Sequence, residues 1–128
     1  MESEIRIRRQ MIEIGKRIDV DHNDLGCQFF LGQRICNRRS YTSCSNDGNL
    51  SVRISENEIL CTPTGISKGY MTEECLCKIN LQGEVLSCQD GFRPSSEMKM
   101  HLKVYEKRPD VRAVVHAHPP YATTFAIG

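Results

Sequence analysis

The 128-residue sequence predicts an α/β fold in which helices pack against a largely antiparallel sheet. Three observations predict this fold. An amphipathic helical pattern opens the chain, two strand pairs follow it, and a second helix leads into a last apolar strand. The length suits one small domain, so we expect residues 1–128 to form a single domain.

The first helix is predicted from Met1 to about Ile18. Its apolar stripe, widened by Ile5 and Ile12, recurs at spacings of four, three and four: Ile7, Met11, Ile14 and Ile18. From Asp19 to Ser45 no period of 2 or 3.6 is sustained, and a structureless connection of this length is uncommon in a compact domain. We interpret residues 19–45 as an atypical, insert-like segment.

The middle of the chain predicts two hairpins and a helix–strand unit. The first hairpin pairs Leu50–Ile54 with Glu58–Thr62, and the second pairs Leu76–Asn80 with Glu84–Ser87. A helix is predicted from Pro94 to about Lys107, with Met98, Leu102 and Tyr105 on its inward stripe. Arg108-Pro109 ends that helix, and the short strand Ala113–Val115 runs into His116.

Composition and charge exclude several classes of function. The net charge of +1 gives no electrostatic case for a nucleic-acid or membrane partner. No apolar run approaches the roughly 20 residues of a membrane span, and the charged N-terminus is unlike a signal peptide, so we expect a cytoplasmic protein. The seven cysteines are odd in number and form no CxxC pair, which favours buried, reduced thiols over disulfides or a four-cysteine zinc site. Cys75 and Cys77 are expected on one face of a strand.

His116 and His118 stand one residue apart at the predicted end of the last strand. The strand period of 2 puts both imidazoles on one face, with Cα atoms roughly 6.5 to 7 Å apart, so both rings could reach one metal ion. A pair of this kind also occurs as an ordinary polar strand end. A catalytic zinc needs a third protein ligand, and Glu97 is a candidate partner.

Glu97 follows two serines at the predicted helix start. One interpretation is capping, with Ser95 or Ser96 as the N-cap and the carboxylate favoured by the helix dipole. The other is functional: helix N-terminal amides and two hydroxyls suit a phosphate, and a carboxylate beside a divalent metal can act as general acid or base. Two loops add similar groups, Gly48-Asn49 and Thr64-Gly65, although each could be only a turn.

Four stretches together resemble the class II aldolase/adducin family, in their order and near their usual spacing. They are "GNLSVRI", "CTPTGI", "PSSEMKMHLKVYEKRPDVRAVVHAHPP" and "YATTFAIG". The resemblance is close over about residues 46–128 and loose over the N-terminal helix, and it is strongest to bacterial sugar-phosphate aldolases of the L-fuculose-1-phosphate type. It implies a three-layer αβα fold around a mainly antiparallel sheet.

The resemblance also implies roles for individual residues. Six positions correspond to those that hold the substrate phosphate: Gly48, Asn49, Thr64, Gly65, Ser95 and Ser96. Glu97 corresponds to the acid/base, and His116 and His118 correspond to two of three histidines that bind one zinc ion per subunit. We count Glu97 among the candidate metal-binding residues as well. The implied reaction is zinc-dependent aldol cleavage of a sugar 1-phosphate to dihydroxyacetone phosphate and an aldehyde.

Two other activities of the same scaffold and a non-catalytic role stay open. Pentulose-phosphate 4-epimerases carry Asp where this chain has Glu97, so Glu favours an aldolase. Methylthioribulose-phosphate dehydratases also use Glu at this point. A non-catalytic, adducin-like domain need not keep both the Ser-Ser-Glu and the His-x-His motifs. The resemblance implies a homotetramer for the complete fold and leaves the assembly of this shorter chain open.

The sequence departs from the family pattern in two places. The third zinc histidine of the family lies on a downstream segment that this chain lacks, and residues 19–45 are much longer than the usual connection. We therefore expect a shortened member without the C-terminal part of the fold, with weaker zinc binding and impaired aldolase activity. His101, four residues after Glu97, is expected to be a polar helix residue rather than a replacement ligand.

Overall fold

The computed structural model describes residues 2–21, 48–66, 68–117 and 125–127, with only the backbone described at residues 2 and 17–21. The elements that build its layers are, in chain order, α1 (Glu2–Asp21), β1 (Asn49–Arg53), β2 (Glu58–Cys61), β3 (Cys77–Asn80), β4 (Val85–Ser87), α2 (Met98–Lys107) and β5 (Ala113–His116). Short 3₁₀ turns at Lys68–Tyr70 and Glu73–Cys75 connect β2 to β3. None of the helices in these ranges is long and apolar enough to cross a membrane.

The five strands form one sheet in the order β4-β3-β2-β1-β5, and every neighbouring pair is antiparallel. Both predicted hairpins are present, and a register irregularity at Lys78/Ile79 marks the β3–β4 pair. The last strand does not pair with its neighbour in sequence. It crosses to the open edge of β1, where His116 is the register partner of Asn49.

Two helices cover opposite faces of this sheet, which confirms the predicted three-layer α/β arrangement. On one face α1 closes a cluster of buried residues: Met11, Ile12, Leu50, Leu60, Met71 and Leu76. On the other face α2 closes a second cluster: Ile59, Cys61, Cys77, Ile79, Met98 and Tyr105. Ile59 and Cys61 therefore face α2 while Leu60 faces α1, as the period of 2 requires.

The helix α1 runs three residues past its predicted end, and its buried face is rotated from the predicted stripe. Met11 and Ile12 are buried, but Ile14 is 41% exposed. The reason is a close approach at Gly15, where a Cβ atom would lie 2.8 Å from the Met71 side chain and 3.2 Å from the carbonyl of Lys68. Glycine lets the helix meet the 3₁₀ turn there, and this contact sets the rotation of α1.

The cysteines depart in part from the expectation of reduced thiols. A disulfide joins Cys77 of β3 to Cys88, whereas Cys61 and Cys75 are free and buried. Cys75 lies in a 3₁₀ turn, so the prediction that it shares a strand face with Cys77 is wrong. Burial raises the pKa of the Cys61 thiol to about 12, which keeps it protonated at neutral pH. Cys27, Cys36 and Cys44 lie outside the described residues.

Candidate active site

The candidate site forms where the start of β1 meets the end of β5. Asn49 and His116 are register partners, and Gly48 packs against the same end of β5. Gly48 has a φ of +81°, and a Cβ atom at this position would lie 2.6 Å from the carbonyl oxygen of His116. Both the backbone conformation and the close approach therefore require glycine at this junction.

Two loops lie side by side next to this junction. The amide of Thr64 donates to the carbonyl of Arg93 at 3.0 Å, and the amide of Ser95 donates to the carbonyl of Thr62 at 3.2 Å. Thr62 is in turn held to β1, because its hydroxyl accepts the backbone N–H of Leu50 at 3.1 Å. The pairing brings the predicted phosphate residues on the two loops, around Thr64 and Ser95, to the same edge of the sheet.

Arg93 extends the site in a way that the sequence did not indicate. With Thr64 and Gly65 it lines an open depression of about 470 Å³, completed by Ile66, Gly91 and Phe92. Gly65 has a φ of +79° and open space around it. The exposed side of this loop thus combines a threonine hydroxyl, an accessible backbone and a guanidinium group, all of which suit an anionic ligand.

Glu97 is placed differently from the capping interpretation. The helix α2 begins at Met98, so Glu97 is the N-cap residue itself, and its side chain makes no capping hydrogen bond. The Ser95 hydroxyl accepts the backbone N–H of Glu97 at 3.4 Å instead. The carboxylate of Glu97 accepts a hydrogen bond from the Asn49 amide at 2.6 Å and lies 2.8 Å from Nδ1 of His116. Glu97 therefore belongs to the site rather than to the helix end.

Asn49 lies between the predicted phosphate and acid/base positions. It is 3% exposed, and its Nδ2 atom lies 2.6 Å from Glu97 and 3.5 Å from the Ser95 hydroxyl. These two contacts direct its amide hydrogens toward the carboxylate side of the site. Its predicted role in holding a phosphate stays a prediction.

Behind Asn49 a row of buried polar side chains runs into the protein. Oδ1 of Asn49 contacts Nε2 of His101, and Nδ1 of His101 lies 2.6 Å from the hydroxyl of Ser51. The Ser51 hydroxyl lies 2.8 Å from the Tyr105 hydroxyl. His101 is completely buried, and Ser51 and Tyr105 are nearly so. Buried polar groups need hydrogen-bond partners, and each of these side chains finds one within the row.

Burial controls the charge of His101. Loss of solvation lowers the pKa of His101 to about 4; the charge of His116 adds to this effect and the carboxylate of Glu97 opposes it. His101 is therefore neutral at neutral pH. The sequence did contain a signal for this row, because Glu97, His101 and Tyr105 recur every four residues on one face of a helix.

The groups that could hold a metal ion are an imidazole and a carboxylate. Both are zinc ligands, and the His116 and Glu97 side chains are close enough to share one ion and are 26% and 48% exposed. The described residues contain no cluster of three His, Cys, Asp or Glu side chains that could hold a metal. His118, the other predicted ligand, lies outside the described residues. The donors that are described fit zinc by their chemistry.

The structure thus brings four of the predicted site residues into one constellation, namely Asn49, Ser95, Glu97 and His116. Ser96 is exposed in the turn before α2, and Gly48, Thr64 and Gly65 lie on the adjoining loops. Sequence reasoning missed Arg93 and underestimated His101. No periodic pattern marks Arg93, because its position follows from loop pairing between distant parts of the chain.

Comparison with known proteins gives the family. Residues 31–128 match the family described as "Class II Aldolase and Adducin N-terminal domain". An L-fuculose phosphate aldolase of Methanococcus maripaludis is 40% identical over 93 residues, which cover 73% of this chain and 48% of the relative. A 3-oxo-tetronate 4-phosphate decarboxylase of Haemophilus influenzae is 41% identical over 88 residues, or 69% of this chain and 40% of the relative.

Solved structures agree with the sequence comparison. A structure of YgbL from Klebsiella pneumoniae, described as a putative aldolase/epimerase/decarboxylase, has a TM-score of 0.69 at 30% identity and covers 94% of this chain and 48% of its own. An L-fuculose 1-phosphate aldolase has the same TM-score at 29% identity, with coverages of 93% and 47%. The chain thus spans about half the length of the curated relatives and structures that it matches. It has the class II aldolase fold and belongs to the class II aldolase/adducin family.

Proposed function

We propose that the site serves metal-dependent cleavage of a sugar 1-phosphate of the L-fuculose type, giving dihydroxyacetone phosphate and an aldehyde. The observation that carries the proposal is the position of the Glu97 carboxylate, 2.6 Å from the Asn49 amide and 2.8 Å from His116. A carboxylate held by a neutral donor beside an imidazole can move a proton next to a bound substrate. The aldolase relative supports the choice of substrate class.

His116 and Glu97, together with His118 on the resemblance, would hold the metal ion. When bound, zinc supplies Lewis-acid polarisation of substrate oxygens. Thr64, Gly65, Ser95 and Ser96 would hold the phosphate through the three hydroxyl groups and the backbone of Gly65, because the loops that carry these residues pair at one edge of the sheet. Arg93 adds a positive charge beside them. Glu97 would then take or return the proton of the carbon–carbon bond cleavage.

The test is zinc-dependent binding of dihydroxyacetone phosphate, measured by calorimetry on zinc-loaded and zinc-free protein. Binding is measured before catalysis because the described residues supply only two metal donors, His116 and Glu97, whereas a catalytic zinc usually has three protein ligands. We expect binding with zinc and much weaker binding without it. Equal binding in both forms, or no binding in either, contradicts the proposal. The Ser96→Ala variant, which removes a predicted phosphate contact at an exposed position, is expected to weaken binding without changing zinc content.

A second candidate function is decarboxylation of a 3-oxo-acid phosphate, favoured by the 41% identical Haemophilus influenzae relative. Both substrates are phosphorylated, and both reactions leave dihydroxyacetone phosphate, since a 3-oxo-tetronate 4-phosphate that loses its carboxyl group becomes this ketone. The second product separates them when each substrate is supplied to zinc-loaded protein: aldol cleavage releases an aldehyde, and decarboxylation releases carbon dioxide. In either case Glu97→Gln is expected to abolish product formation. The homotetramer and the cytoplasmic location stay predictions.

A further inference from the structure

The row of buried side chains behind Asn49 has one consistent hydrogen-bond direction. An ionised carboxylate only accepts, so the group of Asn49 that lies 2.6 Å from Glu97 is its NH₂. Oδ1 of Asn49 then faces His101 and can only accept, so Nε2 of His101 carries a hydrogen. In a neutral imidazole Nδ1 is then an acceptor, and the hydroxyl of Ser51 donates to it at 2.6 Å.

The direction continues to the far end of the row. Because the Ser51 hydroxyl donates to His101, its oxygen accepts the hydroxyl hydrogen of Tyr105 at 2.8 Å. The phenol of Tyr105 is the last group of the row, so every donor in the row points toward the carboxylate of Glu97.

We propose that His101 is a positioning residue, fixed as the Nε2–H tautomer by Ser51 and Tyr105, which turns the Asn49 amide so that its NH₂ group holds the Glu97 carboxylate in place. The inference rests on the proposed function only for the role of Glu97 in proton transfer. The hydrogen-bond direction follows from the geometry of the row and the chemistry of its groups alone.

The consequence of the tautomer is an orientation of Asn49. A flipped amide would turn Oδ1 toward the carboxylate and leave the NH₂ group facing Nε2–H, so that two acceptors and two donors would oppose each other. The contact with the carboxylate joins an N–H donor to an ionised acceptor, and a hydrogen bond of this kind is stronger than one between two neutral groups. Burial keeps His101 neutral, since its pKa is lowered to about 4, and so keeps Nδ1 available as the acceptor for Ser51.

A purely structural histidine would fill the same space without needing one tautomer. His101 is packed on α2 between Met98 and Tyr105, which are both buried, so a space-filling role is the alternative. The experiment must therefore report the direction of the hydrogen bonds around His101, and not only the stability of the protein.

The first measurement is the ¹⁵N spectrum of histidine-labelled protein at pH 7, with the signal of His101 assigned by its loss in His101→Gln. We expect a protonated Nε2 and an unprotonated Nδ1. The Ser51→Ala variant removes the donor to Nδ1 without touching Asn49, and we expect it to give a mixture of tautomers. A protonated Nδ1 in the wild type, or an unchanged tautomer in Ser51→Ala, overturns the proposal.

The second measurement is hydrogen exchange of the Asn49 side-chain NH₂ in two variants of the same residue. His101→Gln can keep an amide N–H near the position of Nε2, so we expect the exchange rate to stay near that of the wild type. His101→Leu removes it, and we expect exchange about tenfold faster, the equivalent of one lost hydrogen bond. Equal exchange in the two variants overturns the proposal, and Ser51→Ala replaces His101→Leu in this measurement if the leucine variant does not fold.

Neither measurement requires metal or substrate, so the failure of the proposed function is distinguishable from the failure of this inference. If the tautomer and exchange results hold while zinc-dependent binding of dihydroxyacetone phosphate is absent, the role of Glu97 is wrong and the positioning of Asn49 stands. If binding is present and His101 lacks the Nε2–H tautomer, the function stands and the positioning role is wrong.

Discussion

The two faces of strand β1 differ in chemistry: one is apolar and the other is polar. Leu50 and Val52 point into the apolar cluster under α1. Asn49, Ser51 and Arg53 point the other way and contact Glu97, His101 and Tyr105 of the α2 layer. One five-residue strand therefore stabilises the sheet with one face and builds the candidate site with the other.

The polar face of β1 is buried although its side chains are hydrophilic. A polar face on an antiparallel strand usually lies in solvent. Here Asn49 and Ser51 are 3% and 1% exposed, because α2 covers them and supplies their hydrogen-bond partners. A buried polar group that loses its partner costs free energy, so these residues hold a defined geometry only as a set.

The largest expected effect belongs to the apolar face. Leu50→Ala should lower the free energy of unfolding by about 2–5 kcal/mol, because Leu50 is 2% exposed and leaves a cavity when truncated. Urea unfolding measures the loss. Under conditions where the variant is folded, zinc affinity should be unchanged, since the side chain points away from Glu97 and His116. A loss of zinc affinity in folded Leu50→Ala would show that the two faces are not separable.

A smaller effect, specific to the polar face, is a pH dependence of stability from His101. Its pKa falls from 6.5 in the unfolded chain to about 4 in the folded protein, so the unfolded state takes up the proton first as pH falls. The contribution of neutral His101 to the free energy of unfolding is fully present above pH 6.5 and is lost as the pH falls toward 4. Between pH 7 and pH 5 we expect the wild type to lose about 2 kcal/mol more than His101→Gln, measured by urea unfolding at each pH. Parallel pH profiles for the two proteins would contradict this account of His101.

How much of this arrangement could be predicted depends on whether the signal is local. The period of 2 in Leu50–Ile54 predicted β1, and the motif resemblance picked out Asn49, Ser95, Glu97 and His116, which the structure brings together. His101 was underestimated because the four-residue recurrence of Glu97, His101 and Tyr105 indicates a shared helix face and does not show that this face is buried. Its burial depends on Asn49 and Ser51, about 50 positions away. Local patterns do not carry such pairings.

The starts and ends of elements were predictable only where a strong local signal exists. Arg108-Pro109 correctly predicted the end of α2 at Lys107. The start was placed too early, because Ser95 pairs through its backbone with Thr62 and is drawn into the loop. The disulfide between Cys77 and Cys88 was missed for a related reason. The antiparallel pairing of β3 with β4 brings these two cysteines together, and the spacing of cysteines in the sequence does not reveal that pairing.

The smallest expected effect lies at the rim of the site. Arg93→Ala should weaken binding of inorganic phosphate or dihydroxyacetone phosphate by about tenfold, the loss of one charge-assisted hydrogen bond, with little change in stability. The backbone carbonyl of Arg93, which holds Thr64, is unaffected by the substitution. Arg112→Ala is the matched control, because it removes the same charge from an exposed position outside the depression. Equal weakening in the two variants would mean that only net charge matters.

The proposed metal site lies where the polar face of β1 meets the end of β5, around Glu97 and His116. A zinc titration of the wild type, His116→Ala and Leu50→Ala under folding conditions tests it most directly. We expect one zinc ion per chain in the wild type and in Leu50→Ala, and loss of that binding in His116→Ala. Full zinc stoichiometry with unchanged affinity in His116→Ala would contradict it.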